Sequence, residues 1–156
     1  CAIGMPTEVI SLLVDTYPQG AAQKDVMGHT PLHYASYSES SNEVIKLLLY
    51  HHPAAVMDID STNLLNEEMK QIVNRIHALL SSTINHEKAK DILNYFLRIK
   101  WIQGVAIVVR IYPSICSDLD VCDSVIPHVY SFVENKCHLM TLWEVLRNRQ
   151  DLLAAA

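Results

Sequence analysis

Apolar residues recur at helical spacing along most of the chain, and only four glycines interrupt them. Val9, Leu12 and Leu13 fall on one stripe of an α-helix, and Val44, Leu47 and Leu48 fall on another. Each stripe runs into a proline, Pro18 or Pro53, which cannot continue a helix, so the chain is expected to turn outward there. Further on, Met69, Ile72, Val73, Ile76, Leu79 and Leu80 share one face, opposite Glu67, Glu68, Lys70, Gln71, Asn74 and Arg75. That pattern predicts one long amphipathic helix, followed by a loop over 81–86. Ile92, Leu93, Phe96 and Ile99 predict another helix over 89–100.

Residues 105–111 are ambiguous, because a β-branched run taken alone reads as a buried strand. Register settles the choice. Tyr112-Pro113 precedes Asp120 by the same interval that separates Tyr17-Pro18 from Asp25. Residues 103–112 are therefore expected to be helical, with packing overriding intrinsic propensity.

That interval belongs to an internal repeat. At an offset of 35, Glu8-Val9-Ile10-Ser11-Leu12-Leu13 falls on Glu43-Val44-Ile45-Lys46-Leu47-Leu48 without a gap. Pro18 falls on Pro53, and Asp25 on Asp60. Between the helices, Asp25-Val26-Met27-Gly28 reads as a turn in which Gly28 supplies a positive φ. Thr30 suits an N-cap and Pro31 the first helical position, where its missing N–H would be unpaired anyway. The unit is turn, short helix, second helix, loop. One such unit cannot bury its own apolar face, whereas stacked neighbours can.

The segment Gly28-His29-Thr30-Pro31-Leu32-His33-Tyr34-Ala35, preceded by Asp25, resembles the ankyrin signature G-x-T-P-L-H-x-A. Residues 44–49 resemble the second ankyrin helix. The resemblance implies an all-α fold, an ankyrin-type helical repeat solenoid with degenerate C-terminal repeats. On this reading 1–24 is a partial repeat, 25–59 a well-formed one and 60–87 an atypical helical insertion. Residues 88–119 make a degenerate repeat and 120–156 a degenerate terminal one, with helices over 126–134 and 139–148. Cys1 aligns with Ser36, so the chain is expected to open at the end of a first helix. That would leave an apolar edge, with fraying before Glu8 or self-association.

The resemblance also assigns roles. Asp25, Gly28, Thr30, Pro31, Leu32, His33 and Ala35 are implied to be structural, His33 by bonding to the threonine that starts the helix. A protein partner is implied to contact turn tips and first helices, which here are Val26, Met27 and His29 at the tip and Tyr37 and Ser38 on the helix. Val26 and Met27 either cover the neighbouring tip or bind. Tyr37 is the better anchor, being large, amphipathic and low in rotamer entropy.

Composition narrows the alternatives. With 156 residues, half of them hydrophobic, the chain can bury a continuous core. A net charge of -5 lacks the clustered basic footprint that nucleic acid requires. Its longest aliphatic run, 105–109, is too short to span a bilayer. Cys1, Cys116, Cys122 and Cys137 are irregularly spaced, as reduced intracellular thiols would be, which points to a cytoplasmic setting. The best metal candidate, Cys116, Cys122, His128, Cys137 and His138, matches no zinc spacing, and His51-His52 lacks further ligands. No nucleophile elbow, zincin motif or phosphate loop occurs. The expectation is a non-catalytic protein-binding module with no cofactor, metal, nucleic acid, membrane or small-molecule ligand. The alternative is a structural or regulatory segment of a larger multidomain enzyme or membrane protein.

Overall fold

The computed structural model describes residues 5–38, 40–59, 66–81 and 84–117. The chain divides into two compact units, Cys1–Leu80 and Ser81–Ala156. All regular structure among the described residues is helical, as the periodicity predicts. The helices expected over 126–134 and 139–148 lie outside the described residues, as do Cys122, His128, Cys137 and His138.

The first unit contains α1 (Thr7–Thr16), α2 (Pro31–Tyr37), α3 (Asn42–His51) and α4 (Glu67–Leu80). Helix α2 starts as the sequence dictates: Thr30 is extended, and its hydroxyl accepts a bond from the His33 amide at 3.3 Å. Ser41 caps α3 in the same way, accepting from the Val44 amide at 3.4 Å. The α4 helix buries Met69, Ile72, Val73, Ile76 and Leu79 of the stripe read from the sequence, and leaves Leu80 half-buried at its end.

Helix α3 is the centre of this unit. It packs against α1, α2 and the 3-10 segments at Pro18–Ala22 and Pro53–Asp58. With neighbours on several sides it buries Val44, Ile45, Leu48 and Leu49, a wider face than the expected stripe, while Leu47 is only half-buried. The stripe expected on α1 is not the one that α1 buries. Ile10 and Val14 face inward, and Val9, Leu12 and Leu13 are exposed. The cause is the neighbourhood: α1 rests mainly on α3 and on Pro18–Ala22, so only the side toward them is covered.

The second unit pairs α5 (His86–Arg98) with α6 (Ile102–Ile111). Asn85 caps α5, its side-chain oxygen accepting from the Lys88 amide at 2.9 Å. The chain reverses through Lys100, at φ 58°. There the Lys100 amide donates to Leu97 O at 3.0 Å and the Trp101 amide to Phe96 O at 2.9 Å. This is a Schellman ending, and its usual apolar contact is made by Phe96 against Trp101, with ring centroids 4.9 Å apart. Residues 105–111 are helical, and Val105, Ala106, Ile107, Val108 and Val109 are all buried. Burial of this continuous run outweighs the small propensity cost of β-branching.

One local ending occurs three times. Tyr17, His52 and Tyr112 each precede a proline and adopt nearly the same backbone, with φ/ψ of −137/75°, −139/75° and −128/70°. Each amide bonds the carbonyl four residues earlier, on Leu13, Leu48 and Val108, at 2.8, 2.9 and 2.8 Å. Proline disfavours the helical region for the residue before it, which stops the helix. The chain then enters a 3-10 turn, Pro18–Ala22, Pro53–Asp58 or Pro113–Ser117, where the sequence suggested only an outward turn.

Candidate functional site

The most organised exposed feature is the turn that leads into α2. The Asp25 amide donates to His29 O and the Gly28 amide to Asp25 O, both at 3.0 Å. Asp25 Oδ1 accepts from the amides of Met27 and His29, both at 2.9 Å. Its Oδ2 accepts from the Tyr34 hydroxyl. Gly28 sits at φ 82°, the left-handed region in which a side chain is strained. The Tyr34 hydroxyl, aided by the two amides and by His29, holds the Asp25 carboxyl below the ordinary carboxylate range. The same bond pushes the Tyr34 phenol upward.

Because the turn is tied internally, its tip residues point away from it. Val26 is fully exposed and Met27 is 72 % exposed. From Met27 an aromatic row descends along α2. The His29 and His33 rings stack at 3.9 Å and 8°, and His33 leans on Tyr37 at 4.7 Å. Tyr34 meets both imidazoles edge-on, at 5.7 and 6.1 Å. Tyr37 is 56 % exposed at the end of the row. Ser38 ends α2: its amide donates to Tyr34 O at 3.1 Å, and its hydroxyl lies 2.6 Å from that of Ser40.

Val26, Met27 and Tyr37 are exposed, and His29 and Ser38 half-buried, along the run from turn tip to helix end. The opposite side of α2 supports it: Leu32 and Ala35 are buried, as are Thr30 and Ser36. The Ser36 hydroxyl donates to His33 O at 2.7 Å. His33 bonds to Thr30 through its backbone amide, and its ring joins the aromatic row. The sequence reading passed over Tyr34 and the imidazole stack. The signal was available, since His29, His33 and Tyr37 recur every four residues, the spacing of one helical face.

Lys24, just before the turn, bridges Asp58 at 2.9 Å and ties the tip to the end of the next 3-10 segment. Among the described residues no group of three or more His, Cys, Asp or Glu is placed to hold a metal ion. No helix among them is long and apolar enough to cross a membrane.

Residues 27–64, starting at Met27 within this turn, match the family model of the ankyrin repeat. Ankyrin repeats are generally protein-binding modules and typically do no chemistry of their own. Neither a curated protein nor a solved structure matches the chain.

Proposed function

We propose that this chain is a non-catalytic module that binds a partner protein through the strip Val26, Met27, His29, Tyr37 and Ser38. The observation that carries the proposal is the combination of rigidity and exposure. Two apolar tip residues and a large aromatic side chain face water, on a backbone already fixed by the Asp25 bonds and the Thr30 cap. A surface ordered before contact loses little conformational entropy on binding. Tyrosine and methionine are also the residue types that anchor interfaces. Beside the strip, both oxygens of Asp25 hold the turn, so this carboxylate is not poised as a base.

The array reading is part of the proposal, with the boundaries 1–24, 25–59, 60–87, 88–119 and 120–156. The helix–Pro–3-10 ending shared by Tyr17-Pro18, His52-Pro53 and Tyr112-Pro113 supports a common unit.

A pull-down from source extract, comparing the chain with its Met27→Ala/Tyr37→Ala double variant, tests the proposal. Recovery of the partner is expected to fall roughly tenfold or more, as for loss of two interface anchors. Undiminished recovery refutes it.

A further inference from the structure

Beside the strip stands a carboxylate whose capacity to accept hydrogen bonds is not used up. An ionised carboxylate offers about four lone-pair sites, two on each oxygen. On Asp25, Oδ1 accepts from the Met27 and His29 amides, while Oδ2 accepts from the Tyr34 hydroxyl. One site on Oδ2 is left over, at an exposed residue. None of the three donors carries a charge, so they orient the carboxylate without neutralising it. From Asp25 to Ile45 the sequence holds Glu39 and Glu43 besides Asp25, and no Lys or Arg. The cations on either side of this stretch are engaged elsewhere. Lys24 pairs with Asp58 at 2.9 Å, and Lys46 with Glu43 at 3.4 Å and Glu68 at 3.3 Å.

The other half of the arrangement is aromatic. Because its hydroxyl reaches Asp25, the Tyr34 ring lies next to the carboxylate, and the residue is 42 % exposed. The imidazoles of His29 and His33 meet this ring edge-on at 5.7 and 6.1 Å and stack on each other at 3.9 Å. An exposed aromatic ring beside an uncompensated carboxylate suits a cation that is flat and carries donors at its edge. A guanidinium meets both requirements at once: its plane stacks on the ring while an edge N–H turns to the carboxylate. An ammonium is a compact, strongly hydrated point charge without that plane.

We propose that the partner protein presents an arginine to Tyr34 and Asp25, its guanidinium stacked on the phenol ring and donating to Asp25 Oδ2. The inference rests on the proposed use of the strip as a partner surface and adds the chemistry of the segment that sits there. A net charge of -5 favours the approach of such a segment.

The test uses the full chain and short Gly/Ser peptides whose one central residue is arginine, citrulline or lysine. They are titrated at low salt and at pH 8, above the ordinary titration range of imidazole. Citrulline keeps the planar shape and loses the charge, whereas lysine keeps the charge and loses the plane. Nuclear magnetic resonance follows the Tyr34 ring signals and the δ-methylene protons of the arginine. The arginine peptide is expected to bind at least about fivefold more tightly than either of the others, with an upfield ring-current shift of its δ-methylene. Asp25→Asn keeps an oxygen for the turn amides and removes the charge. It is expected to weaken the arginine peptide by a similar factor, with the Met27 and His29 amide signals still in place. The upfield shift is read in the unaltered chain, so refutation does not depend on that variant. The proposal is overturned if the arginine peptide does not bind, if citrulline or lysine binds as well, or if Asp25→Asn leaves the affinity unchanged. A failed titration, together with loss of the partner from the Met27/Tyr37 double variant, sinks this inference alone. Arginine binding together with an undiminished pull-down leaves the arginine site standing and the strip refuted.

Discussion

Leu13 and Leu48 occupy the same register of the repeat, which makes them a controlled comparison of sequence against surroundings. Leu48 is 1 % exposed and sits where α3 is enclosed by its neighbours, whereas Leu13 is 57 % exposed on α1. Truncating a fully buried leucine removes its transfer free energy and leaves a cavity, so Leu48→Ala is expected to cost about 2–5 kcal/mol. At Leu13 less than half of the side chain is shielded. Complete burial of a leucine contributes about 1.5–3 kcal/mol, so Leu13→Ala is expected to cost about 1 kcal/mol and to leave no cavity. Urea unfolding followed by circular dichroism measures both, and native-state amide exchange in α3 assigns the loss to the first unit. Equal costs for the two substitutions would refute the packing described for α1 and α3. A larger cost at Leu13 would do so more strongly.

Two glycines should separate backbone strain from crowding. Gly104→Ala would place Cβ 2.3 Å from Cε3 of the buried Trp101 ring, so a loss of about 1–3 kcal/mol is expected in denaturant unfolding. At Gly28 nothing lies within 4 Å of the added Cβ, so Gly28→Ala should cost only the left-handed backbone penalty of about 1–2 kcal/mol. Gly28→Asn should recover part of that loss; no recovery would exclude backbone strain as the cause. Acid should loosen the turn. Asp25 titrates below 3.8, so its contribution is complete above its unfolded value and is lost as pH falls through the folded one. In Tyr34→Phe the Asp25 midpoint, read by carboxyl carbon NMR, is expected to move up toward 3.8; an unmoved midpoint would show that the Tyr34 hydroxyl does not set it.

Local chemistry made much of this unit legible in the sequence. Thr30, Pro31 and Gly28 act through their own backbone and side-chain preferences, and these operate whatever the surroundings. The α4 stripe was legible because one amphipathic face has one wet side. Register turned 105–111 from strand to helix, since Tyr112-Pro113 carries the same ending as Tyr17-Pro18. What the sequence did not give depends on neighbours. Val9, Leu12 and Leu13 have the same helical spacing as residues that are buried on α3, and periodicity alone does not say which face is covered. The 3-10 turns after the prolines were missed because proline explains why a helix stops, not how the chain continues. At the candidate site, Val26, Met27 and Tyr37 were named from resemblance. The His29–His33 stack and the His33–Tyr37 contact are ones that four-residue spacing permits but does not require, and the Tyr34–Asp25 bond joins residues nine apart.

The central claim, that the strip from turn tip to helix end is where a partner protein sits, is tested most directly by site-specific photo-crosslinking. A photoreactive residue placed at Met27, at Tyr37 or at Glu43, an exposed position on α3, would be irradiated in source extract. The same partner protein should be captured from positions 27 and 37 and not from 43. Capture from 43 with none from 27 or 37 would contradict the account.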